Sequence, residues 1–305
     1  MLAAWSAQYR RSVPDVEIDY DAAGSPQGVE ALVAGTVDFA ATDVPLTGLE
    51  EVLLGGSATL VQVPWVAGAI GVVYNLPGVE ELGLSPGTVA GIFAGDIVRW
   101  DDPEIRRDNP EATLPGVPIR VFHRSEPSST TLLFTTYLRE TVRWSAGTAA
   151  QIDWPVGQGV EGSAGVAAAV AGTEGAVGYV QTSFATARAL GVARLRNQAG
   201  NYVAASPESV RAALAAATQR RFRATFDLYF LPDSPASYPL STVSYVLYRR
   251  DLEDPAKQAA MRHFVEWVLG EGQRLAELEG YAPLPLFIRK VAAEALLGPG
   301  NRLTS

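Results

Sequence analysis

Apolar residues recur along this chain at two alternating periods, and that alternation narrows the fold more than any other feature. A helix-spaced stretch at 2–11 gives way to Val16, Ile18 and Tyr20, a period-2 run that predicts a strand over 16–20. Gly24-Ser25-Pro26-Gln27-Gly28 then turns into a helix through 29–33, and 37–42 reads as the next strand, ending on Asp43. This strand–helix order predicts an α/β fold, mostly parallel sheets flanked by helices.

A continuous apolar strand is expected at 69–75, long enough to pass from one lobe to another. The alternation then restarts. A helix is expected at 89–93, a turn at 99–103 and a strand at 119–122, followed by a helix after Thr130. A glycine-rich run over 157–165 follows, then a helix at 166–170 and a strand at 176–180. Beyond a Leu231-Pro232-Asp233-Ser234-Pro235 break, 242–248 reads as a returning strand, and helices at 255–269 and 286–297 close the chain. A chain that leaves one lobe, builds another and returns predicts lobe I from 1–72 and 237–305, and lobe II from 73–236. In open α/β lobes ligands bind beyond the carboxyl ends of strands, here expected in a cleft between the lobes.

Length fits this division, since 305 residues suit two lobes of roughly 100–150 each. The longest nearly apolar run, 63–74, is shorter than the ~20 residues that a membrane helix needs. There is no cysteine, which excludes disulfides and thiolate chemistry. Met1 runs directly into the first helix, so a leader is expected to have been removed or the start truncated. A net charge of −9 argues against nucleic acid and anionic membranes. It does not exclude a buried anion, because distant surface charges are screened over about 8 Å.

The densest chemistry lies at Arg124-Ser125-Glu126-Pro127-Ser128-Ser129-Thr130-Thr131, ahead of the helical run. A helix start offers unpaired N–H groups and the positive end of the dipole. Ser128, Ser129 and Thr130 add hydroxyl donors, and Arg124 adds a fork suited to a tetrahedral oxyanion. A capped helix with a surface Arg–Glu pair would use the same residues, but capping needs only one hydroxyl. Ser25, read as a helix N-cap after Gly24, and Asp43, at a strand end, are further candidates; capping or turn roles explain each equally well alone. Gly28 permits close backbone approach, and the 157–165 run could wrap an oxyanion with its N–H groups.

Other chemistries find no support. His123 and His263 lack a third ligand at zinc spacing, and no nucleophile elbow or Walker A lysine motif is present. The six tryptophans read as packing residues, and no cofactor or metal is implied.

Taken together, these motifs resemble the phosphate-binding proteins of bacterial ABC-type phosphate transporters, the Pst family with its two-lobe periplasmic-binding-protein fold. The likeness runs through Gly24-Ser25-Pro26-Gln27-Gly28, Thr36-Val37-Asp38-Phe39-Ala40-Ala41-Thr42-Asp43, Gly91-Ile92-Phe93-Ala94-Gly95-Asp96, the 124–131 loop, Trp154-Pro155-Val156-Gly157 and Gly175-Ala176-Val177-Gly178-Tyr179-Val180. It implies that Ser25 donates to a phosphate oxygen, that Asp43 accepts from the protonated oxygen, and that Arg124 binds oxygens while paired with Glu126. Ser128, Ser129 and Thr130 would donate as well, with Gly24 and Gly28 in support. Sulfate carries no proton for Asp43, so two negative groups would face each other. The resemblance further implies an ABC permease as partner, a monomer, a periplasmic or exterior location, and binding without catalysis.

The chain departs from the family in two places. The usual N-terminal strand and Thr-Phe-Pro loop are not present before Leu2. The binding loop has Glu126-Pro127-Ser128-Ser129-Thr130 where the family favours Asp-Gly-Ser-Gly-Thr, which removes one N–H at Pro127 and requires an allowed φ at Ser129. The alternatives are a receptor for sulfate, molybdate or arsenate, and a truncated binding fold with an interaction or signalling role.

Overall fold

The computed structural model describes residues 1–56, 58–219 and 234–297. In chain order these form α1 (Leu2–Ser12), α2 (Ser25–Val33), β1 (Phe39–Thr42), α3 (Gly48–Leu53), β2 (Leu60–Asn75), β3 (Gly83–Leu84), α4 (Pro86–Ala94) and α5 (Pro103–Asp108). Next come β4 (Arg120–Arg124), α6 (Ser129–Thr141), β5 (Gln158–Val160), α7 (Gly162–Ala171), β6 (Ala176–Gln181), α8 (Thr182–Thr186), β7 (Gly191–Val192), β8 (Arg194–Arg196), β9 (Tyr202–Val203) and α9 (Pro207–Gln219). The chain ends with β10 (Ser241–Arg249), α10 (Pro255–Leu269), α11 (Gln273–Leu278) and α12 (Leu286–Leu297).

Two compact units share this chain. Among the described residues, the first comprises Met1–Ala67 and everything from Val243 onward, and the second runs from Gly68 to Thr242. Both boundaries fall inside strands, β2 and β10.

In the first unit β1 pairs antiparallel with β10, Phe39 opposite Tyr248 and Thr42 opposite Tyr245, and β10 lies beside β2. Helix α1 buries Leu2, Trp5 and Tyr9 on one face, while α10 buries Met261, Phe264, Val265 and Val268, the spacing that helical periodicity requires. Their aromatics interlock: Tyr9 meets Phe264 edge-on at 5.1 Å, and Trp5 lies 5.2 Å from Trp65.

Residues 16–20 form no strand, which corrects the sequence expectation. A strand exists only by pairing, and among the described residues nothing forms a ladder with this segment. Ser6 Oγ donates to the Ile18 carbonyl and Val16 N–H to the Val13 carbonyl, single bonds and not a ladder.

In the second unit the order is β2–β6–β4–β5, with β7 also on β2. Both β6 and β7 run antiparallel to β2, whereas β4 runs parallel to β6 and to β5. The α/β class holds, but the strand directions are mixed where mostly parallel pairing was expected. The β6–α8–β7 segment carries the chain from one edge of β2 to the other, so β6 and β7 run parallel to each other and both antiparallel to β2. A small separate sheet, β3–β8–β9, lies in the same unit. Helix α7 packs over β6, and Gly178 makes this possible: a Cβ there would sit 2.9 Å from Val166 Cγ1 and 3.1 Å from the Phe122 carbonyl oxygen.

Residues 157–165 are not a wrapping loop, another correction. They divide between strand β5 and the start of α7, because Gly157 takes φ 105° against the Val121 carbonyl and the chain can then pair beside β4. The 231–235 break lies mostly outside the described residues.

Candidate functional site

In the second unit, β4 ends on Arg124 and α6 begins at Ser129, so the 124–128 segment is a strand-to-helix turn. It is pinned on several sides. Ser125 N–H donates to the Val160 carbonyl, Ser128 N–H to the Ala150 carbonyl, and Gln151 Nε2 to the Ser125 carbonyl. Ser128 is the N-cap of α6: its Oγ accepts from Thr130 N–H at 3.1 Å, satisfying one donor of the first turn. Ser129 meets the φ requirement, since Ala189 is the one described non-glycine residue with positive φ.

Arg124 is only 7% exposed, which removes the surface-pair reading. Its Nε donates to Glu126 Oε1 at 2.6 Å, a second guanidinium nitrogen pairs with the same oxygen, and a third donates to Ser163 Oγ at 3.0 Å. A guanidinium has five N–H bonds. These contacts engage three of them, and the other two lie on the terminal nitrogens, which suits bidentate recognition of an oxyanion. Gly162 N–H also donates to Glu126 Oε1, at 3.0 Å, so the start of α7 helps to hold the carboxylate. Burial raises the pKa of the Glu126 carboxyl, but the Arg124 bonds and charge, together with backbone N–H bonds that include Gly162, outweigh it and hold the group below its ordinary range.

Beneath the turn lies Tyr179 of β6. Its hydroxyl accepts from Arg124 N–H at 3.3 Å and shares a 2.7 Å bond with Thr131 Oγ1. The ring stacks on Phe134 at 4.5 Å, with Trp154 5.6 Å away. Burial pushes the phenol up to about 12, partly offset by the Thr131 bond, so it stays neutral as a donor and acceptor. Ser128, Ser129, Thr130 and Thr131 are all buried. The turn therefore presents a fixed cation, hydroxyls and a helix N-terminus together, a set able to bind an anion.

The sequence singled out Arg124, Glu126, Ser128, Ser129 and Thr130, and the fold gathers them at this one turn. It missed Ser163, Tyr179 and Thr131. Ser163 was hidden inside the glycine run; the start of a helix at Gly162 was the signal available. Tyr179 and Thr131 have core patterning and carry no separate signal.

Ser25 and Asp43 belong to the first unit. Ser25 is the first residue of α2 and not its N-cap, a correction: that place falls to Gly24 at φ 105°, where a glycine is needed. The Gly28 N–H donates to the Gly24 carbonyl, closing the first turn. A Cβ on Gly28 would lie 3.6 Å from Ala40 Cβ, an ordinary contact, so α2 sits close to β1 without requiring glycine there. Asp43 follows β1 directly. It is near enough to Tyr20 that, after burial, its charge helps to raise the phenol's pKa.

The two histidines serve packing and bonding. His123 stacks on Trp154 at 5.2 Å, and His263 Nδ1 pairs with Tyr9 OH at 2.7 Å. No described helix is long and apolar enough to cross a membrane.

Comparison with known proteins places this geometry in context. Residues 1–271 match the PBP superfamily domain. The phosphate-binding protein PstS of Methanocaldococcus jannaschii is 34% identical over 316 residues, covering 96% of this chain and 81% of that protein. The PstS of Pasteurella multocida is also 34% identical, over 298 residues, covering 96% and 85%. The solved structure of a high-affinity periplasmic phosphate-binding protein (PfluDING) bound with phosphate superposes with a TM-score of 0.72 at 23% identity, covering 90% of this chain and 86% of that one.

Proposed function

We propose that this chain, a member of the PstS family of phosphate-binding proteins in the PBP superfamily, captures inorganic phosphate and passes it on chemically unchanged. The observation that carries this reading is the buried Arg124, tied to Glu126 and Ser163 beside the hydroxyl-rich start of α6. A guanidinium fixed before the ligand arrives loses little side-chain entropy on binding. Two phosphate oxygens take its terminal N–H bonds, while Ser128, Ser129 and Thr130 supply donors from hydroxyl and backbone.

Ser25 and Asp43 take part in the same binding event, Ser25 as a donor and Asp43 as acceptor for the proton that phosphate retains near neutral pH. Sulfate offers no such proton, so its charge would meet an unrelieved carboxylate. No residue acts as a nucleophile and no cofactor is needed. The protein works as a monomer outside the cytoplasm, and its partner is the permease of an ABC transporter. Binding selects a closed arrangement of the chain.

Equilibrium dialysis with radiolabelled phosphate tests the binding. The expected result is one saturable phosphate per chain, returned intact, and no hydrolysis of phosphate esters with or without divalent metal. Retention of no phosphate, or turnover of an ester, would contradict the proposal.

A further inference from the structure

The anion turn joins two elements whose spacing matters to any ligand they share. Arg124 ends β4, while Ser129 and Thr130 stand on the first turn of α6. A tetrahedral oxyanion touches both sets of donors at once, and a binding constellation has to hold its groups to within about 0.5 Å. The bonds among Arg124, Glu126, Gly162 and Ser163 orient the guanidinium, but they tie it to the turn and to the start of α7. They do not fix its distance from α6.

Tyr179 spans that gap. Its hydroxyl accepts from the Arg124 backbone N–H at 3.3 Å and shares a 2.7 Å bond with Oγ1 of Thr131, the third residue of α6. A phenol oxygen carries one proton and two lone pairs, so both bonds can be made together. The ring is held as firmly as the hydroxyl. It lies on Phe134, one helical turn beyond Thr131, at 4.5 Å and 9° from parallel, and it meets Phe93 at 5.9 Å and Trp154 at 5.6 Å. Strand β6, which carries Tyr179, is itself paired with β4, Arg120 opposite Ala176 and Val121 opposite Val177. Tyr179 is fully buried and Thr131 is 1% exposed, so water offers neither hydroxyl a substitute partner.

We propose that the Tyr179 hydroxyl is a positioning group, which sets the distance between Arg124 and the first turn of α6 and thereby the affinity for phosphate. It acts through Arg124 and Thr131, and it rests on phosphate binding at the anion turn.

Titration calorimetry of the full chain with inorganic phosphate tests it. Tyr179→Phe keeps the ring stack and removes the hydroxyl, and affinity should fall about tenfold, the effect of one lost buried hydrogen bond. Thr131→Val removes the other end of the tie and should weaken binding by a similar factor. Thr131→Ser restores a hydroxyl and should bind as the wild type does. The double variant Tyr179→Phe/Thr131→Val should be no weaker than the weaker single, because both remove the same tie. Ile105→Ala, fully buried in α5, controls for stability: it should lower Tm and leave the affinity unchanged.

Unchanged affinity in a folded Tyr179→Phe, or an equal loss in Ile105→Ala, would overturn the positioning role while leaving phosphate binding intact. So would additive losses in the double variant. Should Tyr179→Phe fail to fold, the Thr131 variants decide, and equal affinity in the valine and serine forms would overturn the proposal. A folded wild type that gives no phosphate heat would remove the binding itself, and the positioning role with it.

Discussion

Removing the Glu126 carboxylate exposes what holds the anion turn in place. Its Oε1 accepts two guanidinium bonds from Arg124 and one backbone bond from Gly162, so Glu126→Ala leaves three donors facing nothing. Breaking a fully buried pair from one side costs about 3–5 kcal/mol. The Glu126 side chain is 19% exposed, and water reaching that rim lowers the cost to about 2–3 kcal/mol. For a unit of this size that corresponds to a drop in Tm of about 5–10 °C. Glu126→Gln keeps an oxygen acceptor and loses only the charge, so about 1 kcal/mol is expected. The pH dependence has a definite sign. The folded carboxyl lies below its ordinary value of 4.5, so its contribution is complete above that value and is lost as pH falls through the folded one. Urea unfolding of wild type and both variants, from neutral pH downward, should show gaps that are constant near neutrality and close below about 4.5. An Ala variant within about 0.5 kcal/mol of wild type, or a gap unchanged into acid, would refute the reasoning.

Further outcomes follow from the same contacts. Ser128→Ala removes the α6 cap and should cost about 1 kcal/mol in urea unfolding while weakening phosphate binding. Tyr179→Phe leaves the Arg124 N–H and the Thr131 hydroxyl without their shared partner; about 1–3 kcal/mol is expected by the same measurement. On the proposed role of Asp43, Asp43→Asn should let sulfate compete with phosphate in calorimetry and the wild type should not, since the substitution removes the carboxylate proposed to repel a proton-free anion.

Elements with strong periodicity were readable from sequence. The final helices, α10 and α12, and the strands β6 and β10 lie where the pattern puts them, since each buries one continuous stripe or run. Failures came where structure depends on a partner distant in sequence. The 16–20 segment alternates like a strand and lacks a neighbour to pair with. The two-residue strands β3, β7 and β9 are too short to carry a period, and α11 is a single short turn system whose Gln273 is buried by bonds to the Trp65 and Val268 carbonyls. The anion turn was legible because arginine, an acid and several hydroxyls cluster within eight residues. Its supports were not, because Ser163 and Tyr179 reach it only through the β4–β6 pairing and the packing of α7.

Titration calorimetry with phosphate, then with sulfate, at neutral pH tests the central claim most directly. The account expects one saturable phosphate event per chain, lost or greatly weakened in Arg124→Ala, and no heat from sulfate. Absence of phosphate heat from the folded chain, or binding unaffected by Arg124→Ala, would contradict it.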